Sequence, residues 1–192
     1  NAIGYYGLDN QEYHKVKVIY VPCLLDGNDG IFNMSYYDLL PGLDLTVFAS
    51  YYEPWGYTPL ESVAFGVPTI TTDKAGFGLW VKKESKKSDS ISNGVAVVNR
   101  TDFNFDEVAS RIENEVVSFS KMKDADVAKI SEKAKTFADK ASWDKFIASY
   151  VEAYDKALAK GAKKSVAKKA PSAKQTTETA EKPKRRSCAK KK

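Results

Sequence analysis

Four short runs of apolar, mostly β-branched residues constrain the fold of this chain most: VKVIYVP at 16–22, LDLTVFAS at 43–50, VPTITT at 67–72 and GVAVVN at 94–99. They do not alternate apolar with polar, which is the pattern of parallel strands buried on both faces. Helical spacing fills the intervals, at 36–40 and 58–65 and then at 105–118, 124–140 and 142–160. Strand and helix in alternation predict βαβ units, hence an α/β fold with a Rossmann-like parallel sheet and flanking helices. Gly76, Gly78 and the polar stretch KKESKKSDSIS at 82–92 predict a loop that interrupts this order.

A length of 192 residues and a hydrophobic share of 43% fit one soluble domain. The chain opens on Asn1 and shows no secretory leader, so it reads as trimmed, with the protein's start expected upstream. No apolar run approaches the roughly 20 residues needed to span a bilayer, and no membrane partner is expected. Two cysteines, Cys23 and Cys188, make neither a disulfide framework nor a metal cluster, which fits a reducing cytoplasm. No metal and no cofactor are expected.

Charge divides the chain. Residues 160–192 carry 13 Lys or Arg against 2 Asp or Glu, leaving 17 against 23 in the remainder. The last stretch holds one Val and no Leu, Ile or aromatic residue, too little apolar surface to offset ordering entropy. The expected organisation is therefore a folded body at 1–160 and a disordered Lys-rich tail at 161–192. The tail lacks interleaved aromatics, and nucleic acid is not the expected partner.

The chemistry concentrates in YYEPWGYTPLESVAFGVPTITTD at 51–73. Glu53 follows the strand at 43–50, so it falls at the carboxyl edge of the sheet, where open α/β sheets place their ligand crevice. Trp55, Gly56 and Tyr57 read as a turn. Thr58 and Pro59 then read as N-cap and first helical residue, with Glu61 completing a capping box. The helix start favours a phosphate there, by about 0.3–1 kcal/mol per charge at an exposed site. Glu61 is explained equally by the capping box and by a ligand, and the two roles can coexist. Glu53 has no obvious structural duty. His14 has no partner spaced like a triad or metal site and is expected at the surface. GNDG at 27–30 lacks the Lys and Ser or Thr of a P-loop and reads as a turn.

The wording YYEPWGYTP, followed by GVPTITTD and by AGFG at 75–78, resembles the donor-sugar motif of retaining glycosyltransferases with the GT-B fold, in the form found in animal and fungal glycogen synthases. The resemblance is strong over 16–78 and continues loosely through Ser142, Trp143 and Tyr150. It implies a carboxyl-terminal, nucleotide-sugar-binding portion of an enzyme that moves glucose from a nucleotide-glucose donor to an α-1,4-glucan with retention. UDP-glucose is favoured over ADP-glucose because the motif resembles the UDP-using type. The glucan would bind through an amino-terminal domain absent from these residues.

In that reading Glu53 is the catalytic carboxylate and holds the donor glucose. Trp55, Gly56, Tyr57 and Thr58 form the donor sugar and phosphate site, with the Trp55 ring packing to fix the turn. Tyr57 stacks on the base, with core packing as its alternative, and Glu61 holds the ribose. A glycosidase dyad is the poorer fit, because its carboxylates must flank the scissile bond, whereas a helix start lies between these two. Two further readings stay open: another retaining GT-B transferase, and a catalytically silent binding module. The family's arginine and lysine clamp on the donor phosphates has no match before Glu53, so the 192-residue stretch alone is expected to be inactive. An arginine-rich regulatory helix is also implied by the resemblance, yet 106–140 holds only Arg111.

Overall fold

The computed structural model describes residues 2–167. In chain order the elements are α1 (Ala2–Tyr5), α2 (Tyr36–Leu39), β1 (Thr46–Phe48), α3 (Tyr57–Ala64), β2 (Thr69–Thr72), α4 (Gly76–Glu84), β3 (Val95–Val98), α5 (Phe105–Ser120), α6 (Asp124–Lys140) and α7 (Trp143–Ala167). The three strands form an open parallel sheet in the order β1-β2-β3. Thr46 pairs with Thr69 and Thr69 with Val95, so the carboxyl ends of all three strands share one edge. This is the α/β architecture that the apolar runs predict.

Both faces of the sheet are covered. Val95 and Val97 point into a core with Val63 of α3, Phe77 and Val81 of α4, and Ala134 and Phe137 of α6. Ala96 and Val98 face the other way, with Ile70, against Val108 and Phe119 of α5 and Ile130 of α6. Two-sided burial is what a run such as VAVV requires. Two of the strand threonines are tied together: Thr46 Oγ1 lies 2.6 Å from Ser62 Oγ and 2.9 Å from Thr69 Oγ1, joining β1, α3 and β2 by buried hydroxyls.

Residues 16–22 form no strand. Val16, Ile19 and Tyr20 are exposed, Ile19 by 60%. The backbone of Val18 is paired with one side chain: its N–H donates to Asn10 Oδ1 and its carbonyl accepts from Asn10 Nδ2, both at 2.7 Å. A β-branched run shows only that a strand is permitted, and a neighbouring strand decides whether it forms. The predicted loop at Gly76 and Gly78 is corrected as well, because both lie in α4. A Cβ at Gly76 would collide with the Pro54 carbonyl, and one at Gly78 with the Thr72 carbonyl. These glycines admit close helix packing and mark no break.

The chain forms two compact units, Asn1–Phe146 and Ile147–Lys192. In the second, α7 continues as a helix to Ala167, past the boundary at 160 expected from composition. The remaining tail expectation, at 168–192, lies outside the described residues. Among the described residues no helix is long and apolar enough to cross a membrane.

Candidate functional site

Glu53 lies beyond the end of β1 at the carboxyl edge of the sheet. Its N–H donates to Lys74 O at 3.0 Å, and its carbonyl accepts from Gly76 N at 3.0 Å, a parallel bridge to the start of α4. Phe77 N donates to Trp55 O at 2.6 Å, and Thr72 Oγ1 to Ser50 O at 2.6 Å. The backbone around Glu53 is thus stitched to the β2–α4 connection. The residue is half-buried, and its carboxylate takes no hydrogen bond or ion pair among the described residues. A carboxylate with both oxygens uncommitted can accept hydrogen bonds from the hydroxyls of a ligand.

The capping box is not formed. Helix α3 begins at Tyr57, its N-cap is Gly56 with φ 99°, and no side chain caps it. Only glycine adopts such a φ freely, and a Cβ there would lie 3.1 Å from Pro59 Cγ and 3.4 Å from Glu53 Cγ. The left-handed turn starts the helix before Thr58, which places Pro59 in the first turn, where a missing N–H costs nothing. The amides of Gly56, Tyr57 and Thr58 are thereby left without a capping side chain, beside the free carboxylate of Glu53.

Glu61, no longer a cap, is half-buried, and its Oε1 accepts a hydrogen bond from the Tyr37 hydroxyl at 2.8 Å. That bond, with the Glu61 charge, raises the Tyr37 pKa, since both favour the neutral phenol. The Tyr36 pKa is raised as well, by burial first and then by the charge of Glu61. The Tyr36 hydroxyl is buried without a hydrogen-bond partner. Both Tyr36 and Glu61 line a cleft of about 420 Å³ with Cys23, Leu24, Leu25 and Thr58. The sequence gives no signal for Tyr36 beyond a place in a short helix; only the fold brings it to Glu61.

The other expected residues separate. Tyr57 is 69% exposed, so core packing does not explain it. The Trp55 ring packs edge-on against Phe77 and Phe146, with centroids 6.1 and 5.4 Å away, which leaves its backbone to face the turn. His14 is partly exposed, and its Nδ1 lies 2.9 Å from Asp9 Oδ1. Asp29 makes GNDG a self-satisfied turn, since its carboxylate accepts from the N–H groups of Ile31, Phe32 and Asn33. Arg111 pairs with Glu115 at 3.0 Å within α5.

A larger groove, of about 670 Å³, lies away from this cluster at the amino end of β1, lined by Leu45, Val116, Phe119, Met122 and Val127 among others. Its position is the opposite of the one open parallel sheets use for ligands, and it holds no residue of the 51–61 motif.

Comparison with known proteins adds to this geometry. The family model described as glycogen synthase matches residues 1–190. Isoform 2 of glycogen [starch] synthase from Saccharomyces cerevisiae is 32% identical over 161 residues, which cover 84% of this chain and 23% of that protein. The Neurospora crassa glycogen [starch] synthase is 30% identical over 158 residues, or 82% of this chain and 22% of that protein. The liver glycogen [starch] synthase of Mus musculus reaches 40% over 94 residues, or 49% of this chain and 13% of its own length. The chain thus spans less than a quarter of the length of these relatives.

Proposed function

The chain belongs to the glycogen synthase family, and on that footing we propose that the intact protein is a retaining hexosyltransferase that moves glucose from a nucleotide-glucose donor to the non-reducing end of an α-1,4-glucan. These residues supply part of the donor-binding half of a GT-B fold. One observation carries the reading: the uncommitted carboxylate of Glu53 beside the uncapped amides of Gly56, Tyr57 and Thr58. A carboxylate for sugar hydroxyls next to a helix start for a diphosphate is the pair of devices a nucleotide-sugar needs.

In this mechanism the amides at 56–58 and the positive end of α3 receive the charge that develops on the departing diphosphate. Glu53 fixes the glucose through its hydroxyls, and the acceptor hydroxyl attacks from the face the diphosphate leaves. Glu61 takes the ribose hydroxyls, and the exposed ring of Tyr57 offers a face to the base. The unpaired hydroxyl of Tyr36, on the cleft it shares with Glu61, adds a nucleotide contact. The donor is UDP-glucose in preference to ADP-glucose, on the wording of the motif, and the location is cytoplasmic.

The test is glucose transfer by the intact protein from labelled UDP-glucose and, in parallel, ADP-glucose to glycogen. Incorporation from UDP-glucose with weaker use of ADP-glucose is expected; no incorporation from either would defeat the proposal. Residues 1–192 alone are expected to transfer nothing, because positioning and charge stabilisation need groups from both sides of the cleft.

A further inference from the structure

Arg100 lies two residues past the end of β3 and is only 6% exposed, yet among the described residues no carboxylate lies within ion-pair range of it. Its Nε has no hydrogen-bond partner. A cation so buried requires compensation. The compensation on hand is the Tyr51 ring, whose centroid lies 3.6 Å from the guanidinium carbon. Arg100 is itself held from β2, since its N–H donates to Asp73 Oδ1 at 2.9 Å.

We infer that Arg100 is a positioning residue: by lying on the Tyr51 ring it clamps the loop that carries Glu53 to the carboxyl edge of the sheet. The ties already described hold that loop by its backbone at Ser50, Glu53 and Trp55, all to the β2–α4 connection. Tyr51 lies between these ties, and Arg100 reaches the loop from the segment that follows β3. The guanidinium plane matches a ring face better than a lysine ammonium does, and burial strengthens the contact. The catalytic consequence rests on the function proposed above; the clamp itself does not.

Four variants of the intact protein test this: Arg100→Met, Arg100→Lys, Tyr51→Leu and Tyr51→Phe. Amide hydrogen exchange reads the clamp without reference to activity. Arg100→Met and Tyr51→Leu should each speed exchange at Glu53, Gly76 and Phe77 while leaving Ile70 and Val97 in the sheet unchanged. In glucose transfer both should lower kcat on the order of 10- to 100-fold, the scale of a small misplacement of a reacting group. UDP affinity should stay within about twofold, because Arg100 is not a ligand contact in this account. Tyr51→Phe, which keeps the ring, should behave as wild type, Arg100→Lys should restore part of the loss, and the double variant should be no worse than either single.

Unchanged exchange at the three amides in Arg100→Met, additive effects in the double variant, or a loss of UDP affinity that parallels kcat would each overturn the clamp. Should the wild-type protein transfer no glucose, the functional reading falls while the exchange data still decide the clamp.

Discussion

The stretch from β1 to α4 and the stretch at residues 16–22 look alike as sequence, both combining Val and Tyr with Pro, and they end in opposite surroundings. In the first, Ile70, Phe77 and Val81 are buried, and hydrogen bonds run from Ser50, Glu53 and Trp55 to the β2–α4 connection. In the second, Val16, Ile19 and Tyr20 face solvent, and a single asparagine side chain occupies the backbone of Val18. The difference is partners. β2 has a strand on each side, whereas the outer edge of β1 is unpaired among the described residues and its Val47 is 41% exposed. Burial of apolar surface and pairing of backbone groups arrive together or not at all, because an unpaired buried backbone group costs as much as the burial returns.

The sharpest test of the stitched region is Glu53→Ala in the intact protein. Loss of hydrogen bonds that tighten in the transition state should cost about 2–4 kcal/mol, or roughly 30- to 1000-fold in kcat. UDP affinity should survive, as measured by titration calorimetry; an active variant would remove Glu53 from the chemistry.

Next in size is Glu61, where the loss should fall on the nucleotide. Glu61→Ala should weaken UDP by about 1.5–3 kcal/mol, the worth of a charge-assisted hydrogen bond. Equal loss of UDP affinity in Glu53→Ala would erase the distinction between the two carboxylates. The same site carries a pH signature. The hydrogen bond to Glu61 raises the Tyr37 pKa, so this contact's contribution to stability is complete below the ordinary phenol value and is lost as pH rises through the elevated one. Glu61→Gln should bring the Tyr37 titration back toward the ordinary value, followed by phenolate absorbance; an unchanged titration would mean that the bond does not form in solution.

The contrast in packing predicts a smaller pair of effects. Gly78→Ala inserts a methyl against the Thr72 carbonyl and should destabilise by about 1–3 kcal/mol, read as a lowered midpoint in thermal melts. Val16→Ala, on the exposed stretch, should change stability by less than about 0.5 kcal/mol. A large loss from Val16→Ala would show that residues 16–22 are buried in the intact protein, and the two regions would then be equivalent.

The sequence by itself determined the parallel sheet, because VAVV and TITT cannot be satisfied with only one face covered, and it placed Glu53 at the carboxyl edge through the chain's own direction. The motif spacing likewise put the start of α3 within reach of Glu53. Three matters were decided by tertiary structure alone. Thr58 looked like an N-cap, but the left-handed turn at Gly56, held between Pro59 and Glu53, starts the helix earlier and leaves its amides open. Gly76 and Gly78 looked like a loop, but they are where α4 approaches two carbonyls that lie at 54 and 72 in the chain. Tyr37 and Arg100 carried no local signal, since their partners Glu61 and Tyr51 are 24 or more positions away, and Tyr36 carried none because the charge that acts on it is also that of Glu61. Local patterns report what a segment permits, whereas hydrogen-bond partners and burial are properties of neighbours distant in sequence.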